Sequence, residues 1–211
     1  MDPYEVPTKG NLMRARYSLS LATQGYSLMD RKRNILIREL TTLIEKARAI
    51  QREIDSAYSV AYAALQKANI EMGITAVART AERVPVENGV ELRIRSVMGT
   101  EIPLVRYTKE ELTAPSYPLM STTEGLDEAR SAFNRVKELT IELSGVEISA
   151  HRLAADIQRT QKRANALKNI QIPRFEALIR AITAALEEKE REEFTRLKVI
   201  KRQKGEAAAG A

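Results

Sequence analysis

Leu12, Ala15, Leu19, Ala22, Tyr26, Met29, Arg33, Leu36, Leu40, Leu43, Ala47, Ile50, Ile54, Ala57, Ala61, Ala64 and Ala68 recur at alternating steps of three and four. Sixteen of these seventeen positions are apolar, Arg33 being the exception, and Gly25 is the one helix-breaking residue type inside the run. Alternating threes and fours average 3.5 residues per turn, which keeps a narrow apolar stripe on one side of a left-handed supercoil. A helix from Asn11 to about Met72 would be roughly 90 Å long. Globular helices seldom pass about 25 residues without caps. The pattern therefore predicts a rod in place of the one compact domain that 211 residues would ordinarily form.

Composition narrows the class. Cysteine and tryptophan are absent and aromatics make up 5%, so neither a disulfide framework nor a large aromatic core is available. A cysteine-free chain suits a reducing compartment. The Met1–Gly10 stretch lacks an apolar signal core, and no uncharged apolar run reaches the ~18–20 residues of a membrane span. These features point to a soluble cytoplasmic protein. Net charge is +6, from 34 basic and 28 acidic residues. The two signs interleave and aromatics are not interspersed with the bases, which favours a solvated coiled-coil surface over a nucleic-acid platform.

Along the chain, Pro3 and Pro7 mark an irregular arm over residues 1–10, and Thr8 can cap the helix that follows. That first coiled-coil helix is expected over 11–81, stopped by Pro85 and Gly89. The period then changes to two. Val90, Leu92 and Ile94 point one way, Glu91, Arg93 and Arg95 the other, and Val97-Met98-Gly99-Thr100 supplies a turn. This predicts a β-hairpin over 90–105 with one buried face, inside a middle region of 82–123. A lone hairpin is marginal in water, so it should pack on the rod or on a partner. Ser121, Thr122 and Thr123 offer caps for a second helix over 124–204. Its seam is Ala129, Ala132, Val136, Leu139, Leu143, Val146, Ala150, Leu153, Ile157, Thr160, Ala164 and Leu167, resuming beyond Pro173 as Phe175, Ile179, Ile182 and Leu186. Residues 205–211 read as a disordered tail.

Two seams of one period, joined by about fifty residues, should fold back as an antiparallel left-handed two-helix coiled coil, each burying the other. The fold class is thus mainly α with a small β-hairpin insertion. Setting Ala68 beside Ala129 puts Pro173 opposite Gln24–Gly25, leaves some twenty residues after Leu186 projecting past the first helix, and puts the hairpin at or toward the opposite end.

Pro173 inside a helical run should kink it, at about 3 kcal/mol, with Gly25 giving room. The kink is either merely tolerated or a change of direction where the rod enters a tighter enclosure. Arg31, Lys32 and Arg33 form a basic run that is either solvated or a contact for acidic loops of surrounding subunits. Gly145 reads as a close-packing or tolerated position in preference to a hinge, and His151, the only histidine, as a surface residue. No phosphate cradle, dinucleotide fingerprint, paired metal-spaced histidines or nucleophile motif is present. The Glu187–Glu193 carboxylates sit at i,i+4 spacing to Lys and Arg, a solubility pattern. The expectation is no cofactor, no metal and no enzyme.

Pro7-Thr8-Lys9-Gly10-Asn11-Leu12-Met13 and Gly25-Tyr26-Ser27-Leu28-Met29-Asp30-Arg31-Lys32-Arg33 resemble the opening of the D subunit of V-type and archaeal A-type ATPases/ATP synthases. Arg163-Ala164-Asn165-Ala166-Leu167-Lys168-Asn169-Ile170-Gln171-Ile172-Pro173-Arg174 and Glu188-Lys189-Glu190-Arg191-Glu192-Glu193-Phe194-Thr195-Arg196-Leu197-Lys198 resemble its C-terminal signatures, and Val90 to Leu104 its hairpin. Asp30, Ala164 and the Lys168-Asn169 pair depart from the usual pattern. The resemblance implies a central rotor shaft, without nucleotide sites of its own, turning inside a ring of A and B subunits. It further implies binding to the F subunit of the central stalk, a socket (the C, or d, subunit) joining the shaft to the membrane ring, and a place peripheral to the membrane through the complex. It implies coupling of ATP synthesis or hydrolysis to proton or sodium transport. Arg31, Lys32, Arg33, Arg191, Arg196 and Lys198 become candidate bearing contacts. The rival readings are an autonomous coiled-coil scaffold and a nucleic-acid-binding rod.

Overall fold

The computed structural model describes residues 6–84, 89–108, 117, 118, 120 and 122–209, with side chains placed as far as Gln203. Helix α1 spans Lys9–Met72, α2 Ile74–Ala81, strand β1 Val90–Val97, β2 Thr100–Tyr107 and α3 Glu124–Ala166. A π-helical segment, Leu167–Gln171, leads directly into α4, Ile172–Ala209. Helix dominates, as the heptad spacing demands. None of the seventeen seam positions of α1 is exposed, and neither is any of the twelve on α3 and the π segment.

The chain divides into two compact units, Met1–Arg33 with Arg159–Ala211 and Asn34–Gln158. In the first, α1 runs antiparallel to the C-terminal helices. Lys9 pairs with Glu190, the Tyr26 ring carries the Lys168 ammonium, and Arg33 donates to Gln161. Thr8 caps α1 as its sequence position requires: its Oγ1 accepts from the Asn11 amide at 3.2 Å.

In the second unit the same antiparallel order holds through Lys46–Glu142, Glu53–Arg135 and Lys67–Glu128 ion pairs. Between these pairs, Ile50, Ile54, Leu139 and Val146 form one apolar cluster. Pairing is displaced from the expected register. Glu53 meets Arg135, and Gly25 faces Leu167, whose Cδ1 lies 3.7 Å from where a Cβ would stand. At the end of α1, Ala68 packs with Leu126, Val77 and Tyr117.

Two helix boundaries and one cap differ from expectation. The first helix stops at Met72 because Gly73 adopts φ 83°, ψ 145°, a left-handed conformation that ends the ladder and starts α2. Pro85, Pro115 and Ser121 lie outside the described residues. At the start of α3 the Thr123 hydroxyl is buried and unbonded, and the first turn carries Glu124 and Asp127 against the helix dipole instead. At the other terminus α4 stays helical to Ala209, where a disordered tail was expected; Ala207–Ala209 are the strongest helix formers available.

The hairpin departs most. Met98 and Gly99 have φ of 50° and 81°, the two positive values that a two-residue turn matching strand twist requires. The strands run to Tyr107, two residues beyond expectation. The face of Val90, Leu92 and Ile94 is not buried: these three are exposed, Leu92 by 70% and Ile94 by 71%. The sheet instead rests on the helices through β2. Ile102 sits in a cluster with Leu36 and Leu153, flanked by Leu40, Leu43, Val97 and Ile157. The hairpin therefore lies against the middle of α1 and not at its end.

Gly145 explains how β2 comes so close. A Cβ there would stand 2.7 Å from Val105 Cγ2 and 3.2 Å from Val105 Cβ. Val105 is short and stiff at χ1, so it cannot swing clear. Gly145→Ala is expected to destabilise the chain although alanine favours the helix. In a Val105→Ala background the penalty should shrink but persist, because the Cβ of residue 105 stays 3.2 Å from the new methyl. Urea unfolding of the four variants measures this coupling.

Candidate docking surfaces

The candidate residues fall in the first unit, and each is placed by helix geometry. Successive residues on an α-helix point about 100° apart, so Arg31, Lys32 and Arg33 cannot share one face. Arg31 is exposed, Lys32 is half-buried, and Arg33 turns into the seam. The Arg33 guanidinium meets Asp30 Oδ1 at 2.6 Å and donates to Gln161 Oε1 at 2.7 Å. Gln161 Nε2 in turn donates to Asn165 Oδ1 at 2.8 Å. The single charged residue of the α1 seam is thus part of a polar layer crossing from α1 to α3. Asp30, unusual for the resembled pattern, is its counter-charge. A polar layer in an apolar seam specifies register, because a slip by one heptad would bury Arg33 among aliphatic groups. Asp30→Ala is expected to cost about 1 kcal/mol, and to cost nothing once Arg33 is leucine. A double-mutant cycle by denaturant unfolding reads this coupling.

Gly25 and Pro173 do not face one another. Gly25 lies against Leu167, the first residue of the π segment. In that segment the Ile172 amide donates to Leu167 O, one residue further back than an α-helix allows. The wider turn precedes Pro173, which has no N–H and whose ring crowds the carbonyl four residues before it. The irregularity expected at the proline is therefore taken up one turn earlier, across from the glycine.

Arg191, Arg196 and Lys198 lie on α4 beyond the Lys9–Glu190 ion pair. Every side chain from Glu187 to Gln203 is exposed. Arg191 reaches Glu187 and Glu188, and Arg196 reaches Glu192, all along the same helix. Exposed pairs of this kind contribute about 0.3–0.5 kcal/mol each. They support the helix without defining a partner.

Charge reasoning overlooked the apolar residues between them. Phe194, Leu197, Val199 and Ile200 are all exposed, Phe194 by 69% and Leu197 by 66%. A second row, Met13, Tyr17, Leu21 and Leu28, is exposed on α1 beside its buried seam. Its steps of four, four and seven are the same helical spacing. The signal was present in the sequence as a second stripe. Exposed apolar rows of this extent mark interaction surfaces.

The second unit holds a half-open apolar cavity of about 340 Å³, lined by Leu65, Val77, Tyr117, Leu126 and Phe133. The Arg130 guanidinium stands 5.3 Å from the Tyr117 ring centre, and Tyr117 donates to Asp127. Burial, then that hydrogen bond, raises the Tyr117 pKa above its usual 10.0. A groove under the hairpin mixes Glu39, Glu138 and Glu142 with Lys46, Arg95 and Arg135, and so favours neither sign of ligand. Among the described residues no three potential metal ligands cluster, and no helix is long and apolar enough to cross a membrane.

Comparison with known proteins identifies the family. The family model of the ATP synthase D subunit matches residues 11–202. The D subunit of the V-type ATP synthase of Thermotoga neapolitana is 41% identical over 195 residues, covering 92% of this chain and 96% of that one. The D subunit of the A-type ATP synthase of Methanosphaera stadtmanae is 34% identical over 198 residues, covering 93% and 92%. That of Thermococcus gammatolerans is 36% identical, covering 92% of both chains.

Proposed function

The chain belongs to the D-subunit family of ATP synthases, that of the central stalk of rotary ATPases, and from that membership we propose that it is the turning shaft. The observation that carries this reading is the stretch from Glu187 to Gln203, helical yet exposed on all sides. A helix of that size is marginal alone in water. One that presents Phe194, Leu197 and Ile200 to solvent is built to be enclosed.

The enclosing partners are the A and B subunits, which hold the nucleotide sites; this chain contributes no catalytic group. The F subunit lies along the shaft, where the exposed row Met13, Tyr17, Leu21 and Leu28 offers an apolar strip. The socket, which is the C (or d) subunit, links the shaft to the membrane ring, so the chain is peripheral to the membrane through its complex. The hairpin faces the lower stalk. Torque passes because a paired helix resists bending and because an asymmetric shaft touches each catalytic interface differently. Only contacts that differ between states can bias those states. Arg31, Lys32, Arg191, Arg196 and Lys198 are bearing contacts in this reading, while Arg33 positions the seam.

Reconstitution with the A, B and F subunits tests the proposal. A probe attached to this chain should rotate under ATP. Reversing the charges of Arg31, Lys32, Arg191, Arg196 and Lys198 together should lower rotor-dependent ATPase activity a few-fold, while the isolated chain stays folded and loses only the small support of its intrahelical pairs. An assembled complex that hydrolyses ATP with this chain held still would overturn it.

A further inference from the structure

The two edges of the hairpin are treated differently. In this register a two-residue turn puts residues 89, 91, 93, 95 and 97 in the hydrogen-bonded pairs, and the Thr108 amide indeed donates to Gly89 O at 2.9 Å. On β2 the outward-pointing backbone groups then belong to Glu101, Pro103, Val105 and Tyr107. That edge is closed. Arg152 Nη1 donates to Glu101 O at 3.2 Å, Ser149 Oγ donates to Pro103 O at 3.2 Å, and Pro103 has no N–H to offer. Val105 abuts Gly145.

On β1 the outward backbone groups belong to Val90, Leu92, Ile94 and Ser96. Nothing comparable covers them among the described residues, and β1 contains neither proline nor bulge. An open, eight-residue extended edge is a template for another strand. The same residues form the exposed apolar face, with Leu92 and Ile94 at its centre. The opposite face carries Arg93, Arg95 and Arg106 with Glu91, and Arg95 already reaches Glu39 of α1 at 3.6 Å. Arg93 is held only loosely, 3.8 Å from Glu91.

We propose that β1 is a strand-addition site, taking an extended segment of a partner protein in which apolar side chains alternate with acidic ones. Backbone pairing at Val90, Leu92, Ile94 and Ser96 provides the attachment. The apolar side chains of the incoming strand cover Leu92 and Ile94, and its carboxylates meet Arg93 on the other face, beside the Arg95–Glu39 pair. The side chains select for charge, and the backbone supplies most of the affinity.

The probe is a capped synthetic peptide of alternating valine and glutamate, as long as β1, titrated into the isotope-labelled full-length chain. Amide exchange should slow at Val90, Leu92, Ile94 and Ser96 and stay unchanged at Glu91, Arg93 and Arg95, which are already paired. Leu92→Pro removes an N–H that the hairpin itself does not use, so it should spare the hairpin and weaken peptide binding roughly tenfold or more. Replacing glutamate by lysine in the peptide should weaken binding by a similar factor. Any of three results overturns the proposal: no alternate-residue slowing at millimolar peptide, equal binding by Leu92→Pro with an intact hairpin, or the same slowing on raising protein concentration without peptide, which would make a second copy the occupant.

Discussion

Leu153→Ala should lower the stability of this chain by about 3 kcal/mol or more, the largest single effect expected of any core substitution here. Leu36 and Leu153 are both 0% exposed and form one cluster with Ile102 of the hairpin. Around Ile50, Ile54, Leu139 and Val146 the seam is held by two helices, and a truncated side chain there can be partly compensated as they close together. Here three elements meet, and β2 is pinned above the site by Thr100 Oγ1 donating to Asp156 at 2.7 Å and by Ser149 donating to Pro103. The walls cannot collapse, so the cavity should persist. A second consequence separates this site from the rest of the seam. Leu139→Ala, in the cluster of Ile50, Ile54 and Val146, should destabilise without freeing the hairpin. Leu153→Ala should also speed amide exchange at Ile102. Thermal unfolding together with exchange at Ile102 checks both, and a Leu153→Ala protein as stable as the parent would show that the hairpin does not share this core.

Much of this architecture was legible because period and burial are tied together on a helix. Steps of three and four identify which side chains share a stripe, and a stripe that long has to be covered; every seam position from Leu12 to Ala68 is at least half-buried. A strand carries less information. Alternation establishes that Val90, Leu92 and Ile94 share a face, but not that the face is buried, and here the sheet docks through its β2 edge. Register was beyond reach for a related reason. It depends on contacts between residues far apart in sequence, such as Ile102 of the hairpin with Leu36 and Leu153. The basic run at Arg31–Arg33 stands out by its charge, yet Arg33 serves the seam. Phe194, Leu197 and the Met13–Leu28 row stand out by helical spacing instead, and all are exposed.

That contrast sets the second large effect, which rests on the shaft reading. Phe194→Asp with Leu197→Asp should reduce rotor-dependent ATPase activity of the reconstituted complex by about tenfold or more, while reversing Arg191 and Arg196 alone costs a few-fold at most. The reason is desolvation. Arg191 and Arg196 are paired along their own helix with Glu187, Glu188 and Glu192, and exposed pairs contribute only about 0.3–0.5 kcal/mol. A carboxylate forced against an enclosing apolar wall without a partner costs several kcal/mol, and each 1.4 kcal/mol is about a factor of ten. Neither substitution should disturb the isolated chain, since both side chains are exposed and touch no core cluster. Circular dichroism of the free protein and ATPase turnover of the complex therefore separate folding from function. If the double aspartate variant drives hydrolysis at the parental rate, the end of α4 is not enclosed, and the bearing must be sought along the Met13–Leu28 row instead.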